Sequence, residues 1–207
     1  WLWAGAAVLW VLGGGWLLAR GVAGWPQVPR PLRWAGGMLA LAMAWLAMAQ
    51  ARRIGVNFLL SVLVLVWAAD VFAYFFGRAL GGRLTGGRKL APAISPGKSL
   101  EGVWGGMLGV LLVGIAWVWA DSAYQTGAAS LYTRLYQSSS LLLVLGGLFL
   151  AAMSVVGDLI ESLVKRSAGM KDSSRLLPGH GGVLDRIDAL LPVLPLAMLL
   201  VSLKDAL

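Results

Sequence analysis

Acidic residues are rare in this chain, and most of them collect in one short stretch. The chain has nine Asp and Glu residues, of which five lie between positions 158 and 188. Four polar residues at the start of this stretch are spaced i, i+3, i+4 and i+7: Asp158, Glu161, Ser162 and Lys165. Because these intervals return to the same side of an α-helix, they predict one polar helix face.

A second acidic pair, Asp185 and Asp188, repeats the i, i+3 spacing at the end of the stretch. Mg²⁺ prefers oxygen ligands, usually one or two carboxylates, and completes its shell with water and substrate phosphates. Basic residues that could neutralise phosphates lie nearby: Lys165, Arg166, Lys171 and Arg186. We interpret this combination as a site for phosphoryl transfer or nucleotide binding.

His180, the only histidine of the chain, lies in the Pro-Gly-His-Gly-Gly turn at 178–182. The glycines of this turn would let backbone N–H groups approach an anion. Another interpretation remains open, since a mixed-charge segment beside a membrane is often a solvated surface with weak ion pairs. The concentration of acids in a chain that otherwise nearly lacks them favours a functional site.

Asp70 is an acid inside an otherwise uncharged apolar segment, about two helical turns before Gly77. Charged residues at such a depth face the interior of a helix bundle, where they pair with a cation or contact a site. Both roles, site residue and structural ion-pair partner, stay open at this point.

The segment 78–102 is basic and interrupted by prolines. Its Gly-Lys-Ser triplet at 97–99 looks like part of a phosphate-binding P-loop. However, Pro92 occupies the position of the first glycine and no strand is expected before it, so we reject a P-loop. We expect instead a structured basic loop that lies over the membrane face and binds anionic groups.

These polar stretches connect apolar segments that would have to position them. The composition is 59% hydrophobic and 13% charged, which excludes an ordinary soluble globule. A membrane-crossing helix needs about 20 apolar residues, and six segments approach this length: 1–19, 34–51, 54–77, 103–120, 140–157 and 189–203. We therefore predict an all-α, polytopic transmembrane bundle, with Gly105, Gly106 and Gly109 at a close helix contact.

The last predicted span contains Pro192 and Pro195, so we expect it to be kinked. The first span starts directly at Trp1, without a preceding Met or basic stretch, and we expect earlier spans to be missing. We divide the chain into N-terminal spans at 1–53 and a catalytic membrane domain at 54–207.

The basic residues predict the orientation of the bundle. Thirteen Lys and Arg residues lie in the connections 20–33, 78–102 and 158–188, against four on the other side. By the positive-inside rule, both long loops face the cytoplasm. The net charge of +8 is thereby explained without a nucleic-acid partner, and the lack of cysteine excludes disulfides and thiol chemistry. We expect an integral protein of a bacterial inner membrane.

The order and spacing of the polar residues resemble the phosphatidate cytidylyltransferase (CDP-diacylglycerol synthase) family. The matching pattern comprises Ser162, Lys165-Arg166, Lys171-Asp172, the turn at 178–182, Asp185-Arg186 and Asp188. A second matching stretch comprises Asp70, Ala73-Tyr74-Phe75, Gly77-Arg78, the residues 89–92 and 94–99, and Glu101-Gly102. The segment 78–88 is a few residues longer than is usual in that family.

The resemblance implies a reaction in which CTP and phosphatidic acid give CDP-diacylglycerol and pyrophosphate. It implies Mg²⁺ on Asp158 and Asp185, with Asp188 as the next candidate, and it admits a second, monovalent cation and a homodimer. The implied catalytic residues are Asp158, Asp185, Lys165, Lys171 and Asp188. The implied substrate-binding residues are Ser95, Lys98, Ser99, Arg166, Asp172, His180, Arg186 and Asp70.

Two other functions remain as alternatives. One is a related CTP-dependent kinase that acts on a polyprenol or another lipid alcohol. The other is a membrane transporter that uses Asp70 and the proline-containing last span as its pathway. A dense acid–base cluster on one membrane face favours catalysis over transport.

Overall fold

The computed structural model describes residues 1–125, 127–174, 176, 178–179 and 181–204. Its longer helices are α3 (Arg30–Ile54), α4 (Val56–Leu80), α5 (Leu100–Tyr124), α7 (Ser140–Ser167) and α9 (Leu190–Lys204). The shorter ones are α1 (Leu2–Val8), a π-helix (Leu9–Gly13), α2 (Gly14–Gly24), a 3₁₀-helix (Trp25–Gln27), α6 (Leu131–Ser138) and α8 (Leu184–Ile187).

The predicted all-α membrane bundle is confirmed. Within the described residues, six helical segments are long and apolar enough to cross a membrane: Leu2–Gln27, Arg30–Ile54, Val56–Leu80, Leu100–Tyr124, Ser140–Ser167 and Leu184–Leu203. Large apolar side chains, such as Trp34 and Trp45, are exposed on the outside of the bundle. Such an apolar outer surface suits a membrane environment.

The fifth span runs further than its apolar segment. Helix α7 continues to Ser167, so the first part of the predicted loop 158–188 is helical, and the predicted polar helix face is confirmed. Lys165 and Arg166 favour the extension because basic side chains stabilise the C-terminal end of a helix. Gly169, with φ of +70°, ends the helix, and the Met170 N–H donates back to the Lys165 carbonyl.

The last span lies at the centre of the bundle. Helix α9 contacts α1, α3, α4, α6 and α7, and Val193 and Leu196 are fully buried. A turn at Asp188 and Ala189 separates it from the short α8, and Pro195 lies inside α9.

Glycines bring α4 and α5 into close contact, as the sequence predicts. A Cβ at Gly105 would lie 2.3 Å from Phe76 side-chain atoms, and one at Gly106 would lie 2.7 Å from the Ala69 carbonyl oxygen. The same holds at Gly109. These helices pack at a distance that a larger residue would prevent.

Between α4 and α5 the chain forms a β-hairpin, which the sequence analysis did not predict. Strand β1 (Lys89–Ala91) pairs antiparallel with β2 (Ser95–Ser99), and Lys89 lies opposite Ser99. The expectation that no strand precedes the Gly-Lys-Ser triplet is therefore wrong, because the prolines end helix but allow short strands. The P-loop remains excluded by Pro92 and by the lack of a parallel sheet in the described residues.

We call the side of the bundle that carries this hairpin the hairpin face. The connections 25–29, 81–99 and 168–183 all lie on it, since each follows a span that runs in the same direction. On the opposite face, Asp121 joins three helices. Its carboxylate accepts hydrogen bonds from Asn57 Nδ2 (2.8 Å), the Ser130 N–H (2.9 Å) and Thr133 Oγ1 (2.6 Å), which fixes α6 against α4 and α5.

Candidate active site

A cavity of about 640 Å³ opens on the hairpin face between α4, α5, α7 and strand β2. Its polar lining residues are Asp70, Tyr74, Arg78, Lys98, Ser99 and Asp158. The remaining lining residues are small or apolar: Ala69, Ala73, Gly77, Gly97, Gly102, Val103, Gly106, Met107, Ala151 and Val155. The cavity therefore combines charged groups with apolar walls built from membrane spans.

Docking of the hairpin onto α7 brings two predicted site residues together. Ile94, in the hairpin turn, packs with Leu159 and Leu163 of α7 in a small separate core. This contact positions the Lys98 ammonium 2.5 Å from the Asp158 carboxylate, which also accepts a hydrogen bond from the Ser162 hydroxyl (3.3 Å). An anion and a cation from distant parts of the chain thus meet in the cavity.

A close backbone contact positions Asp158 near Asp188. A Cβ at Gly157 would lie 2.6 Å from the Asp188 carbonyl oxygen and 2.9 Å from two ring carbons of Pro192. Only glycine lets α7 approach the turn before α9 so closely. The carboxylate of Asp188 interacts electrostatically with Asp158 and Asp70. Three acids from three helical segments therefore contribute negative charge at the cavity.

Asp185 belongs to a different polar network. Its carboxylate accepts hydrogen bonds from the Ser173 N–H (2.9 Å), the Ser173 hydroxyl (2.7 Å) and the Gly182 N–H (2.7 Å). Lys165 Nζ lies 2.5 Å from Asp185 and also 2.5 Å from Glu161, which is buried. This network fastens the connection after α7 onto the helix.

Asp158 and Asp185, predicted to share a metal ion, thus have different cationic partners. Lys98 pairs with the first and Lys165 with the second. The ligand role of Asp185 stays a prediction, as does that of Lys165 in holding phosphate.

The remaining predicted site residues have varied surroundings. Ser99 is buried and caps α5 by accepting from the Gly102 N–H (3.1 Å), and Ser95 is half-buried in β2. The Arg166 side chain donates to the Ile94 carbonyl (3.4 Å), so it joins α7 to the hairpin. Exposed positions are occupied by Lys171, Asp172 and Arg186. His180 lies outside the described residues.

Several residues that shape the site were not among the predicted site residues. Tyr74 and Arg78 line the cavity, and Arg78 Nη1 donates to the Tyr74 hydroxyl (3.0 Å). Their i, i+4 spacing beyond Asp70 is the signal that could have identified them. Glu161 was on the predicted polar face, whereas Gly157 looked like any other small residue in a span.

The acids beside the cavity suit a hard divalent cation. Within the residues that the structure describes, no group of three or more Asp, Glu or His side chains forms a metal cluster. Mg²⁺ needs only one or two carboxylates when substrate phosphates and water supply the other ligands. Asp158 already stabilises a positive charge, that of Lys98, the Gly157 contact brings the Asp188 backbone close, and the Asp188 carboxylate interacts electrostatically with Asp158. The donor set at Asp158 and Asp188 therefore fits Mg²⁺.

Comparison with known proteins gives a consistent family match. A model of the cytidylyltransferase family matches residues 3–204. The phosphatidate cytidylyltransferase of Pseudomonas aeruginosa is 43% identical over 161 residues, which cover 77% of this chain and 53% of that protein.

Two further relatives have the same name. That of Haemophilus influenzae is 45% identical over 141 residues (68% of this chain, 44% of the relative). That of Staphylococcus epidermidis is 39% identical over 151 residues (73% of this chain, 51% of the relative). The chain spans about half the length of the curated relatives it matches.

Proposed function

Because this chain belongs to the cytidylyltransferase family, we propose that it transfers a cytidylyl group from CTP to phosphatidic acid. The products are CDP-diacylglycerol and pyrophosphate. The names of the relatives supply the substrates of the proposal, and the amphipathic cavity is the observation that carries it. Charged groups for two phosphate-bearing reactants and apolar walls for acyl chains are combined in one opening at a membrane surface.

In the proposed reaction a phosphate oxygen of phosphatidic acid attacks the α-phosphorus of CTP. The bond between the α-phosphorus and the bridging oxygen of the β-phosphate breaks, and pyrophosphate leaves with that electron pair. Both reactants are anions, so the barrier falls mainly through alignment and charge neutralisation. Lys98 and Arg78, which line the cavity, supply positive charge at this position, and no covalent enzyme intermediate is needed.

Asp158 and Asp188 are our proposed Mg²⁺ ligands. When bound, the ion would neutralise triphosphate oxygens and the leaving pyrophosphate. Asp185, the other ligand that the resemblance implies, stays a prediction; its carboxylate oxygens accept from Ser173, Gly182 and Lys165 and so position the connection that follows α7. Asp70 lies in the cavity wall and adds negative charge that favours a bound cation.

In this proposal the protein lies in a bacterial inner membrane and its hairpin face is on the cytoplasmic side, where CTP is available. The excess of basic residues in its connections supports that orientation. A second, monovalent cation and a homodimer, both implied by the resemblance, stay predictions.

The proposal is tested by product analysis with the purified protein in lipid nanodiscs. CTP and phosphatidic acid together should give pyrophosphate and CDP-diacylglycerol in equal amounts, whereas either substrate alone should give none. Release of CDP in place of pyrophosphate would identify a kinase, and nucleotide-independent flux in vesicles would identify a transporter. Either result contradicts the proposal.

Matched variants test the ligand assignment. Asp158→Asn and Asp188→Asn should raise the Mg²⁺ concentration needed for half-maximal rate, since each removes a carboxylate charge. Asp121→Asn removes a carboxylate charge on the opposite face and is the control, which should leave that concentration unchanged. An equal rise in the control would contradict the ligand assignment, because the effect would not be specific to Asp158 and Asp188.

A further inference from the structure

The connection between α4 and the hairpin forms a basic surface that the proposed reaction does not use. We call the residues 81–89 the basic collar. It follows directly on the span α4 and precedes the span α5, so it lies at the membrane surface on the hairpin face. It begins three residues after Arg78, which lines the cavity. The collar therefore borders the cavity mouth.

A buried carboxylate holds the collar in place. Glu101, which is 1% exposed, accepts hydrogen bonds at one oxygen from the Gly82 N–H (3.0 Å), the Thr85 N–H (3.0 Å) and the Thr85 hydroxyl (2.8 Å). Gly82, with φ of +84°, allows the tight turn that these bonds require. All three donors are neutral, so this acid does not neutralise the collar's own basic side chains.

The outer surface of the collar is basic and carries one large apolar side chain. Arg83, Arg88 and Lys89 are exposed, and among the described residues no acid lies within ion-pair distance of them. Leu84 is 64% exposed beside Arg83. A basic cluster with an exposed apolar residue, fixed at the level of the membrane surface, is complementary to anionic headgroups above an acyl layer.

We propose that the basic collar binds anionic phospholipid headgroups and concentrates phosphatidic acid at the cavity mouth. This inference rests on the proposed function for its choice of lipid. A phosphate monoester carries up to two negative charges near neutral pH, so the collar attracts phosphatidic acid more strongly than singly charged phospholipids. The collar contributes to capture of the lipid and takes no part in the bond-making step.

The test uses the double variant Arg83→Gln/Arg88→Gln in nanodiscs of phosphatidylcholine that contain a small fraction of phosphatidic acid. Arg52→Gln/Arg53→Gln, which removes two exposed arginines on the opposite face, is the matched control. Each basic residue near an anionic surface favours binding by roughly fivefold. The collar variant should therefore need about five- to thirtyfold more phosphatidic acid for half-maximal rate. Its kcat and its KM for CTP should stay unchanged.

A binding measurement separates this inference from the proposed reaction. Spin-labelled phosphatidic acid should show a larger immobilised fraction beside the wild-type protein than spin-labelled phosphatidylcholine, and the collar variant should lose this preference. That result supports the collar even if no cytidylyl transfer is found. An unchanged preference in the collar variant would overturn the inference, and so would a raised KM for CTP, because the collar would then bind the nucleotide.

Discussion

Gly157→Ala is the sharpest test of how the bundle positions its acids. A methyl group at this position would lie 2.6 Å from the Asp188 carbonyl oxygen and 2.9 Å from two Pro192 ring carbons. Carbon–oxygen contacts are normally about 3.3 Å or longer, so α7 and the turn before α9 must separate by roughly 0.7 Å. Displacements near 1 Å reduce rates by about 10²-fold, and we expect kcat to fall between tenfold and hundredfold.

The assay is pyrophosphate release from CTP with saturating phosphatidic acid, measured beside the thermal unfolding of the same samples. Overpacking at this buried site should cost about 1–3 kcal/mol, and the unfolding curve shows which samples are folded at the assay temperature. Gly147→Ala is the matched control on the same helix. A Cβ there would make ordinary contacts of 3.4 Å with Leu111 and 3.7 Å with Val110, so its rate should stay near that of the wild type.

A folded Gly157→Ala protein with unchanged kcat would refute the reasoning. The spacing between Asp158 and Asp188 would then not depend on this contact. An equal loss of rate in Gly147→Ala would also refute it, because the effect would belong to α7 as a whole.

Two predictions concern stability. Lys165→Met leaves two carboxylates without their shared cation and should lower the free energy of unfolding by about 3–5 kcal/mol. The double variant Lys165→Met/Glu161→Gln should recover part of this loss. An unchanged unfolding midpoint in the single variant would contradict the buried network. Asp121→Ala removes the acceptor of three hydrogen bonds on the opposite face and should cost about 1–3 kcal/mol per stranded buried donor. Thermal unfolding in detergent measures both effects. For Asp121→Ala the control is Ser122→Ala at the exposed neighbouring position, which should leave the unfolding midpoint unchanged. An equal shift of the midpoint in both variants would contradict the second prediction.

The parts of the fold with a regular sequence pattern were the easiest to predict. The six spans follow from apolar length alone, and the face that carries Asp158 and Lys165 follows from helical spacing. Close packing of α4 on α5 follows from glycines, because small residues are what interhelical contact in a membrane requires. Each of these inferences needs only the residues of one or two segments and the regular geometry of the α-helix.

The hairpin and the contact at Gly157 could not be predicted in this way. Strands as short as β1 and β2, the second of which contains Pro96, have no periodic signal. The docking of Ile94 onto α7 joins residues more than sixty positions apart. The sequence likewise does not say which of many span glycines meets a carbonyl of another helix. Such contacts depend on the assembled bundle.

Asp185 and Asp188 show why the roles of individual side chains are hard to assign from spacing. Their i, i+3 spacing implies a shared helix face, and the backbone keeps helical angles through Asp188 although α8 ends at Ile187. Even so, the Asp185 carboxylate accepts hydrogen bonds from Ser173 and Gly182, whereas the Asp188 carboxylate interacts electrostatically with Asp158. These partners come from other segments of the chain, which spacing alone does not identify.

The surroundings of Lys165 and Lys98 indicate which of the two lysines can contact a substrate phosphate in the proposed reaction. Lys165 lies between two carboxylates, so a phosphate would have to compete with both of them for its ammonium group. Lys98 forms an ion pair with Asp158 and lines the cavity, and it also interacts electrostatically with Asp70 and Asp188. In the proposed reaction Lys98 is the better placed of the two lysines to contact a substrate phosphate, because it lines the cavity.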